Sequence, residues 1–439
     1  MLKNIFKIVV IILMIIGIIS GLRITMMRYF PDIGNKQSEE KILSMVQSRS
    51  ADIVEYYTYG KAFNIKGKLK NISKDNLETA RLVITDGRGY EESFPLNCTI
   101  EENVLTFESN LQINSGIILD NLANGDYYIF LRLKLNNYYE PRYYALNNVS
   151  DYDTLEYYTV TKDSQNRKAS ISFIEKQNSN KDKVSLLKLT LEDSSLPDEV
   201  YDIVIDAGHG GKDKGENSGK YTEADIMLDY AKDLKAYLED QGYKVKLTRD
   251  DSNSERFNYY NMYSKDGRIT TACESKAKLM ISLHISNGGN SLKGLEVHAA
   301  SRTNIDFATK LAKAIVDGSS LDFSNNSTFK KAEGVYQRTF TKVEIRSQAL
   351  TAEKNGYEPY DVDENTTYLY TIREVGGVAT GAYVDGRNKN YDKNEYYKSN
   401  QGLECYELDL GYIKNDLNTL LNEKSNIVNA IGETITKEY

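Results

Sequence analysis

The spacing of apolar residues changes once along the chain, near residues 194–200, and this change limits the folds available. Residues 57–193 contain short alternating runs such as AFNIKGKLKNIS and GDYYIFLRLKL, divided by turn-forming residues. Period-two alternation predicts antiparallel strands, and their spacing favours an all-β, sandwich-like domain. Residues 201–439 instead alternate strand-like and helical patterns, which predicts an α/β domain with a mixed sheet flanked by helices. The segment SSLPDEV (194–200) is predicted to be a linker.

The first 30 residues contain a long apolar segment that begins after two lysines, Lys3 and Lys7. The 18 residues from Ile5 to Leu22 would form a helix of about 27 Å, nearly the thickness of a hydrocarbon core. We therefore expect residues 1–30 to be a signal anchor with a transmembrane helix, followed by a polar stalk over residues 31–56. The two lysines place the N-terminus inside and all later domains outside the cytoplasm.

A cleavable signal peptide is the alternative interpretation of this segment. It needs small residues one and three positions before the cleavage point. Ser20 and Gly21 are small, but Ile18 and Ile19 occupy the matching positions. The expectation is a single-pass protein of the cell membrane that keeps the anchor.

Composition excludes several classes of protein. The chain has 439 residues, with 63 acidic and 55 basic side chains and a formal charge of −8. A nucleic-acid-binding protein needs the opposite balance of charge, so nucleic acid is not an expected partner. The three cysteines are far apart, which favours free or buried thiols, although a Cys273–Cys405 bridge remains open.

Two of the three histidines follow apolar strands: His209 in IVIDAGHGG and His284 in LMISLHISN. In open α/β sheets, ligands bind beyond the carboxyl ends of the strands. Glu223, at the start of the next predicted helix, would lie at the same edge. Two imidazoles and one carboxylate form a common ligand set of catalytic zinc. The third histidine, His298 in GLEVH, lies inside a strand pattern and lacks that context.

Each of these residues also has a structural interpretation. A single histidine at a strand end is often a hydrogen-bonded structural residue, and Glu223 could simply favour the positive end of its helix. The His-Gly-Gly turn could also be a phosphate-binding loop, but no GK[ST] or GxGxxG pattern follows it. On spacing alone, the zinc and structural interpretations both remain open.

Further motifs occur in a characteristic order: VIDAGHGGKDKG, Glu223, YKVKLTR, RITTAC ahead of KAKLMISLHISN, GLEVH and DLGYIKNDLNTLL. With these motifs, the segment from about Tyr201 to Tyr439 resembles the zinc-dependent N-acetylmuramoyl-L-alanine amidases, which trim bacterial peptidoglycan. The resemblance implies that His209, Glu223 and His284 bind Zn²⁺, which activates a water molecule and polarises the scissile carbonyl. It also implies that a glutamate near the end of the domain is the general base and acid. The implied substrate bond joins N-acetylmuramic acid to L-alanine.

The sequence departs from the family pattern at two positions. Met227 stands where the family commonly has Asn, four residues after the zinc-binding Glu. Asp409 in DLGY stands where the family pattern E-L-G-F/Y has its catalytic Glu. Asp is one methylene shorter, and Glu407, two residues earlier on a strand, points to the same face. Asp409 and Glu407 are therefore both candidates for the acid–base residue.

The segment TIREVGGVATGAYVDGR supplies candidates for substrate binding, because Arg pairs well with peptide carboxylates. These candidates are Arg373, Glu374 and Arg387, and a solvated loop is the alternative interpretation.

Three functions follow from the sequence. The first is a membrane-anchored cell-wall amidase with peptidoglycan as substrate and the cytoplasmic membrane as a partner. The second is an amidase-like peptidoglycan-binding or scaffold protein with weak or no catalysis. The third is another zinc hydrolase, such as a peptidase acting on the stem peptide. The β domain is expected to be a spacer, docking or regulatory module, and the sequence does not identify its protein partner.

Overall fold

The computed structural model describes residues 31–152, 155–159, 166–251, 262–384 and 393–439. Among these residues, no helix is both long enough and apolar enough to cross a membrane. The predicted anchor, Met1–Leu22, lies outside the described residues.

The first domain consists almost entirely of β-strands. Its helix and strands are α1 (Pro31–Met45), β1 (Ala51–Tyr59), β2 (Ala62–Lys70), β3 (Leu77–Thr85), β4 (Glu91–Glu101), β5 (Val104–Ser109), β6 (Ile117–Ile118), β7 (Gly125–Leu135), β8 (Arg142–Tyr144), β9 (Leu146–Asn148), β10 (Leu155–Thr159), β11 (Arg167–Gln177) and β12 (Lys183–Asp193).

Nine of the described strands follow one path of hydrogen-bonded neighbours, β10-β11-β12-β7-β3-β4-β5-β2-β1, and β6, β8 and β9 pair beside it with β2, β7 and β1. The long strand β4 joins two halves of the path, because residues 91–95 pair with β3 and residues 96–101 pair with β5. One hydrophobic core takes side chains from both halves, including Phe63 and Phe107 from one and Ile129 from the other. The described strands therefore agree with the all-β prediction, and the sandwich form stays a prediction.

The stalk predicted for residues 31–56 is wrong. Residues 31–45 form helix α1, and the first strand of the β domain begins at Ala51. Ile42 is buried against Val46, Phe130 and Leu186, so the helix packs on the β domain. The segment is mostly polar, so its composition did not predict that one apolar stripe of the helix packs on the β domain.

The second domain alternates strands with helices. Its elements are β13 (Ile203–Ala207), β14 (Asn217–Ser218), β15 (Tyr221–Thr222), α2 (Glu223–Asp240), β16 (Val245–Leu247), α3 (Arg268–Glu274), β17 (Leu279–Ser286), β18 (Glu296–His298), α4 (Asp306–Asp317), β19 (Lys330–Ala332), β20 (Val335–Tyr336), α5 (Lys342–Asn355), α6 (Tyr370–Val375), β21 (Gln401–Gly402), β22 (Glu404–Tyr412), α7 (Leu417–Asn422) and α8 (Lys424–Glu438).

The main sheet of this domain has the order β16-β13-β17-β22-β18-β20-β19. Strands β16, β13, β17 and β22 are parallel, whereas β18 runs antiparallel to β22. Apolar side chains on one face pack against α2, α4 and α8, and those on the other face pack against α3 and α6. The predicted α/β fold with a mixed sheet and flanking helices is confirmed.

The two domains contact each other at the edge of this sheet where β17 and β22 begin. Strand β21, just before β22, pairs in parallel with β1. Lys278, which precedes β17, forms an ion pair with Asp120 at 3.3 Å. The β domain therefore supports the edge opposite to the carboxyl ends of β13 and β17.

All three cysteines lie in the described part of the chain, and each is a free thiol. Cys98 is exposed, Cys273 is half-buried and Cys405 is buried. The open alternative of a Cys273–Cys405 bridge is therefore not what the structure contains.

The close packing inside the β domain can be tested at Gly67 in β2. A Cβ atom there would overlap the Phe107 ring and lie 2.7 Å from the Asp52 carbonyl oxygen. Overpacking of this kind typically costs about 1–3 kcal/mol. We expect Gly67→Ala to lower the free energy of unfolding by that amount in urea denaturation. Gly289→Ala is the control, because nothing lies within 4 Å of its added Cβ; equal stability of the two variants would contradict this account.

Candidate metal and acid–base site

His209 lies in a tight turn directly after β13 and has a left-handed backbone, with φ of 58°. Its Nδ1 lies 3.0 Å from Asp213 Oδ2, and its Nε2 lies 3.2 Å from Glu223 Oε1. Glycine is needed just before it, since a Cβ on Gly208 would lie 2.5 Å from the His284 ring. The turn therefore brings the imidazole toward Glu223 and His284.

Two buried arginines hold this turn through its carbonyl groups. Arg249 Nη2 donates to the Gly208 carbonyl at 2.9 Å and to the Ala224 carbonyl at 2.7 Å. Arg268 Nη2 donates to the His209 carbonyl at 3.1 Å. Sequence reasoning did not assign these arginines a role, although both lie in motifs that carry the resemblance, YKVKLTR and RITTAC. Arg268 thus contacts a candidate ligand directly, and Arg249 contacts the residues next to two candidate ligands.

Arg268 also pairs with Asp206, which is fully buried in β13, at 2.6 Å. Thr248 and Ser282 donate to the same carboxylate at 2.6 and 2.7 Å. Burial alone would raise the pKa of Asp206, but the guanidinium and these hydrogen bonds more than offset it and lower that pKa. The carboxylate is therefore ionised and connects three strands to α3.

Glu223 is the first residue of α2, whose N-cap is Thr222, as the sequence predicts. Its side chain is 1% exposed. Oε1 accepts from the Ile285 amide, and Oε2 accepts from the Glu216 amide, each at 2.9 Å. Burial alone would raise the pKa of Glu223, but its hydrogen bonds to His209 and His284 outweigh burial and lower the pKa. Glu223 is therefore a fixed, ionised carboxylate.

His209, Glu223 and His284 converge, as the sequence predicts, with one ligand-type atom of each lying within 4.8 Å of the others. His284 Nδ1 lies 3.0 Å from Glu223 Oε1. Ligands of a tetrahedral zinc ion with bonds of about 2.0–2.1 Å lie about 3.3 Å apart. Asp213 holds the other ring nitrogen of His209, as a carboxylate commonly does for a metal-binding histidine. The residues present therefore fit a zinc ion.

The two acid–base candidates lie on the same face of β22, as predicted, but at different depths. Asp409 pairs in register with His284 on β17, whereas Glu407 pairs with Ser282. Two residues along a strand correspond to about 6.6 Å. Asp409 therefore lies beside the candidate ligand His284, and Glu407 lies two residues further from the carboxyl edge of the sheet.

The surroundings of these two carboxyl groups push their pKa values apart. Burial alone would raise the pKa of Asp409, but contacts with His298 and a hydrogen bond from Ser286 lower it. Burial, together with the neighbouring negative charge of Asp409, raises the pKa of Glu407. Such separated pKa values are typical of acid–base sites and favour Asp409 as the ionised group.

His298 belongs to this site, contrary to the expectation that it lacks a functional context. Its Nε2 lies 3.3 Å from Glu296 Oε2 and 3.4 Å from Asp409 Oδ2. Glu296, His298 and Asp409 form a second group of ligand-type side chains. The antiparallel pairing of β18 with β22 brings them together, and the local sequence carries no signal for that pairing.

Arg373 and Glu374 lie in the interior, and their side chains are 3% and 0% exposed. They pair with each other at 2.8 Å, and Arg373 also donates to the carbonyls of Thr367 and Tyr368. This placement does not support the predicted binding of peptide, because the groups that would bind it hold the fold together. Arg387 lies outside the described residues.

Met227, at the position where the family commonly has Asn, is fully buried in the core that joins the main sheet to α2. The departure therefore places an apolar side chain in the core, one helical turn after Glu223.

Part of this chain is similar to known proteins. Residues 203–353 match the sequence profile of the N-acetylmuramoyl-L-alanine amidase family. The germination-specific N-acetylmuramoyl-L-alanine amidase of Bacillus subtilis is 35% identical over 98 residues, which are 21% of this chain and 41% of that protein. The endolysin of Bacillus phage SPP1 is 37% identical over 108 residues, which are 24% of this chain and 36% of that protein.

Solved structures similar to this chain carry related names. The amidase AmiC2 of Nostoc punctiforme is 21% identical, with a TM-score of 0.32, and the match covers 54% of this chain and 96% of that one. The CwlD amidase of Clostridioides difficile, solved with the GerS lipoprotein, is 18% identical, with a TM-score of 0.32, over 54% of this chain and 97% of that one.

The chain spans about two fifths of the length of the B. subtilis amidase that it matches. The range matched to the family includes His209, Glu223 and His284 and ends before Asp409. The match to the N-acetylmuramoyl-L-alanine amidase profile thus confirms the resemblance for the part of the chain that contains the candidate ligands.

Proposed function

We propose that this protein hydrolyses the amide bond between N-acetylmuramic acid and L-alanine in peptidoglycan, with Zn²⁺ bound by His209, Glu223 and His284. The observation that carries the proposal is the convergence of these three side chains beside Asp409 at one sheet edge. That edge belongs to a domain matched to the amidase family.

Each residue has a distinct part in the proposed reaction. A bound zinc ion would lower the pKa of a water molecule toward 7 and polarise the scissile carbonyl. The ionised Asp409 accepts a proton from the attacking water and returns it to the departing nitrogen of L-alanine. Asp213, Arg249 and Arg268 hold the His209 turn in place.

The second candidate function is a peptidoglycan-binding protein with little catalysis. The shorter side chain of Asp409 favours it, because a misplacement of 1 Å at a catalytic group can cost about a hundredfold in rate. A wild-type protein that releases no peptide, while Asp409→Glu does, would favour this alternative.

The proposed zinc site predicts the metal content of variants. We expect about one equivalent of zinc in the ligand set, and its loss in His209→Ala and in His284→Ala. His298→Gln is the matched control and should keep this zinc. Metal analysis of the purified proteins measures the outcome, and unchanged zinc in both alanine variants would contradict the proposal.

Zinc binding should also weaken as the pH falls. Burial lowers the pKa of His284, but the Glu407 and Glu223 carboxylates outweigh burial and raise it to about 9. Zinc needs the neutral imidazole, so it must displace a proton from His284 at neutral pH. We expect zinc binding to release a proton, so the binding enthalpy measured by calorimetry should change with the ionisation enthalpy of the buffer. A binding enthalpy that is the same in every buffer would contradict the proton release.

The proposed acid–base role predicts that Asp409→Asn slows the release of peptide by about 10²–10⁴, with zinc retained. Glu407→Gln is the control on the same strand face and should lose much less activity. The assay is mass spectrometry of purified peptidoglycan after digestion, in which an amidase releases peptides that begin with L-alanine. Peptides cut at an internal bond would identify a peptidase instead. If Glu407→Gln were inactive while Asp409→Asn kept its activity, Glu407 would be the acid–base residue.

We also propose that residues 1–30 anchor the protein in the cell membrane, with the amidase domain outside the cytoplasm. The support is the apolar segment from Ile5 to Leu22 with lysines before it. Mass spectrometry of the protein from a membrane fraction should detect Met1–Leu22 intact, whereas a soluble exported protein that begins near residue 22 would show cleavage.

A further inference from the structure

We propose that His298 is a positioning residue for Asp409: its Nε2–H group holds the short carboxylate in the orientation needed for proton transfer. The inference rests on the proposed function and deepens it. It concerns the third histidine, whose Nε2 lies 3.4 Å from Asp409 Oδ2.

Strand pairing brings His298 to Asp409 from the neighbouring strand. On β18 and β22, Glu296 lies opposite Asp409 and His298 lies opposite Glu407. Directly opposite and next-but-one residues on paired strands share a face. His298 therefore approaches Asp409 diagonally, from the side away from His284, which lies opposite Asp409 on β17.

Glu296 contacts the same ring nitrogen of His298 as Asp409 does. The Glu296 Oε2 atom lies 3.3 Å from His298 Nε2, while Oε1 accepts hydrogen bonds from Tyr412 and Ser324. The Glu296 side chain is 3% exposed and that of His298 is 10% exposed. A buried group with this many partners has one orientation, so Glu296 can serve as the anchor for His298 and, through it, for Asp409.

Asp409 has a second donor, the hydroxyl of Ser286, which also bonds to Oδ2. Ser286 and His298 thus contact the same carboxylate oxygen from two strands. An aspartate carries its carboxylate on one methylene only, so two lateral contacts are enough to define its direction. Where the family pattern has Glu, this chain has the shorter Asp409, and in our proposal His298 holds its carboxylate in position.

A metal ion bound by Glu296, His298 and Asp409 is the competing interpretation of this group. A metal-binding histidine usually donates its other ring N–H to an acceptor. The Nδ1 of His298 is buried and has no hydrogen-bond partner among the residues that the structure describes. His209 has such a partner in Asp213. The candidate ligand His284 has none, because its Nε2 is also buried without a partner among the described residues, so the metal content of the His298 variants decides between the two interpretations.

The test compares His298→Gln with His298→Asn in the full chain loaded with zinc. The Gln amide nitrogen can occupy the place of the imidazole Nε2, whereas the Asn amide nitrogen is one methylene too short to reach Asp409. We expect His298→Gln to keep kcat within a few-fold, and His298→Asn to lower kcat by about a hundredfold, the usual cost of a 1 Å misplacement. KM and the zinc bound by His209, Glu223 and His284 should be unchanged in both.

The same pair of variants is then made in the Asp409→Asn background, where no carboxylate is left to position. There we expect His298→Asn and His298→Gln to have equal residual rates, because the coupling between contacting residues is removed. Thermal melting of every variant checks that it is folded.

Several results would overturn the inference. Equal kcat for the Asn and Gln variants with Asp409 present would do so, as would the same loss for His298→Asn with and without Asp409. A second equivalent of zinc in the wild type, absent from both His298 variants, would show a metal site in place of a positioning residue. A wild-type protein that releases no peptide would overturn the proposed function and this inference together, whereas an active wild type with insensitive His298 variants overturns this inference alone.

Discussion

The buried ion pair of Asp206 and Arg268 is the interaction on which the candidate site depends. Its carboxylate binds Arg268 from α3, Thr248 after β16 and Ser282 of β17. Removing one partner of a buried pair usually costs about 3–5 kcal/mol, because the other charge is left uncompensated. The same guanidinium also donates to the His209 carbonyl. The ion pair that connects the strands to α3 therefore also positions the first histidine of the site.

Along the strands on this face of the sheet, the side chains change from apolar to polar and charged. Val204, Met280 and Cys405 are apolar and pack against α3 and α6. Two residues further along each strand stand Asp206, Ser282 and Glu407, and two further stand His284 and Asp409. An apolar layer is thus followed by a layer of buried polar and charged side chains, and the candidate site lies next to that layer at the carboxyl edge. The β domain contacts the opposite edge of the sheet, where these strands begin.

Local patterns were sufficient to predict much of this arrangement. The strand before His209, the cap of α2 at Thr222 and the strand before His284 are short-range signals, and they place three ligands at one edge. The motifs that carry the resemblance led to Asp409. The role of α1 was missed because few apolar residues, Ile42 and Leu43 among them, pack the helix against strands that are distant in sequence. The binding role of Arg373 and Glu374 was misjudged because charge in a sequence does not reveal burial.

His298 shows why the remaining part of the site could not be predicted from the sequence. Its contacts with Glu296 and Asp409 need β18 to run antiparallel to β22, and that direction depends on the connections after β17 and on the late strand itself. A carboxylate in this position needs donors around it, because a buried charge without partners is costly. The shorter Asp409 leaves less freedom to find them than a glutamate would, so the donors must come from fixed strands. Ser286 on β17 and His298 on β18 supply them from either side, and the departure from the family pattern at residue 409 is therefore best understood together with its two neighbouring strands.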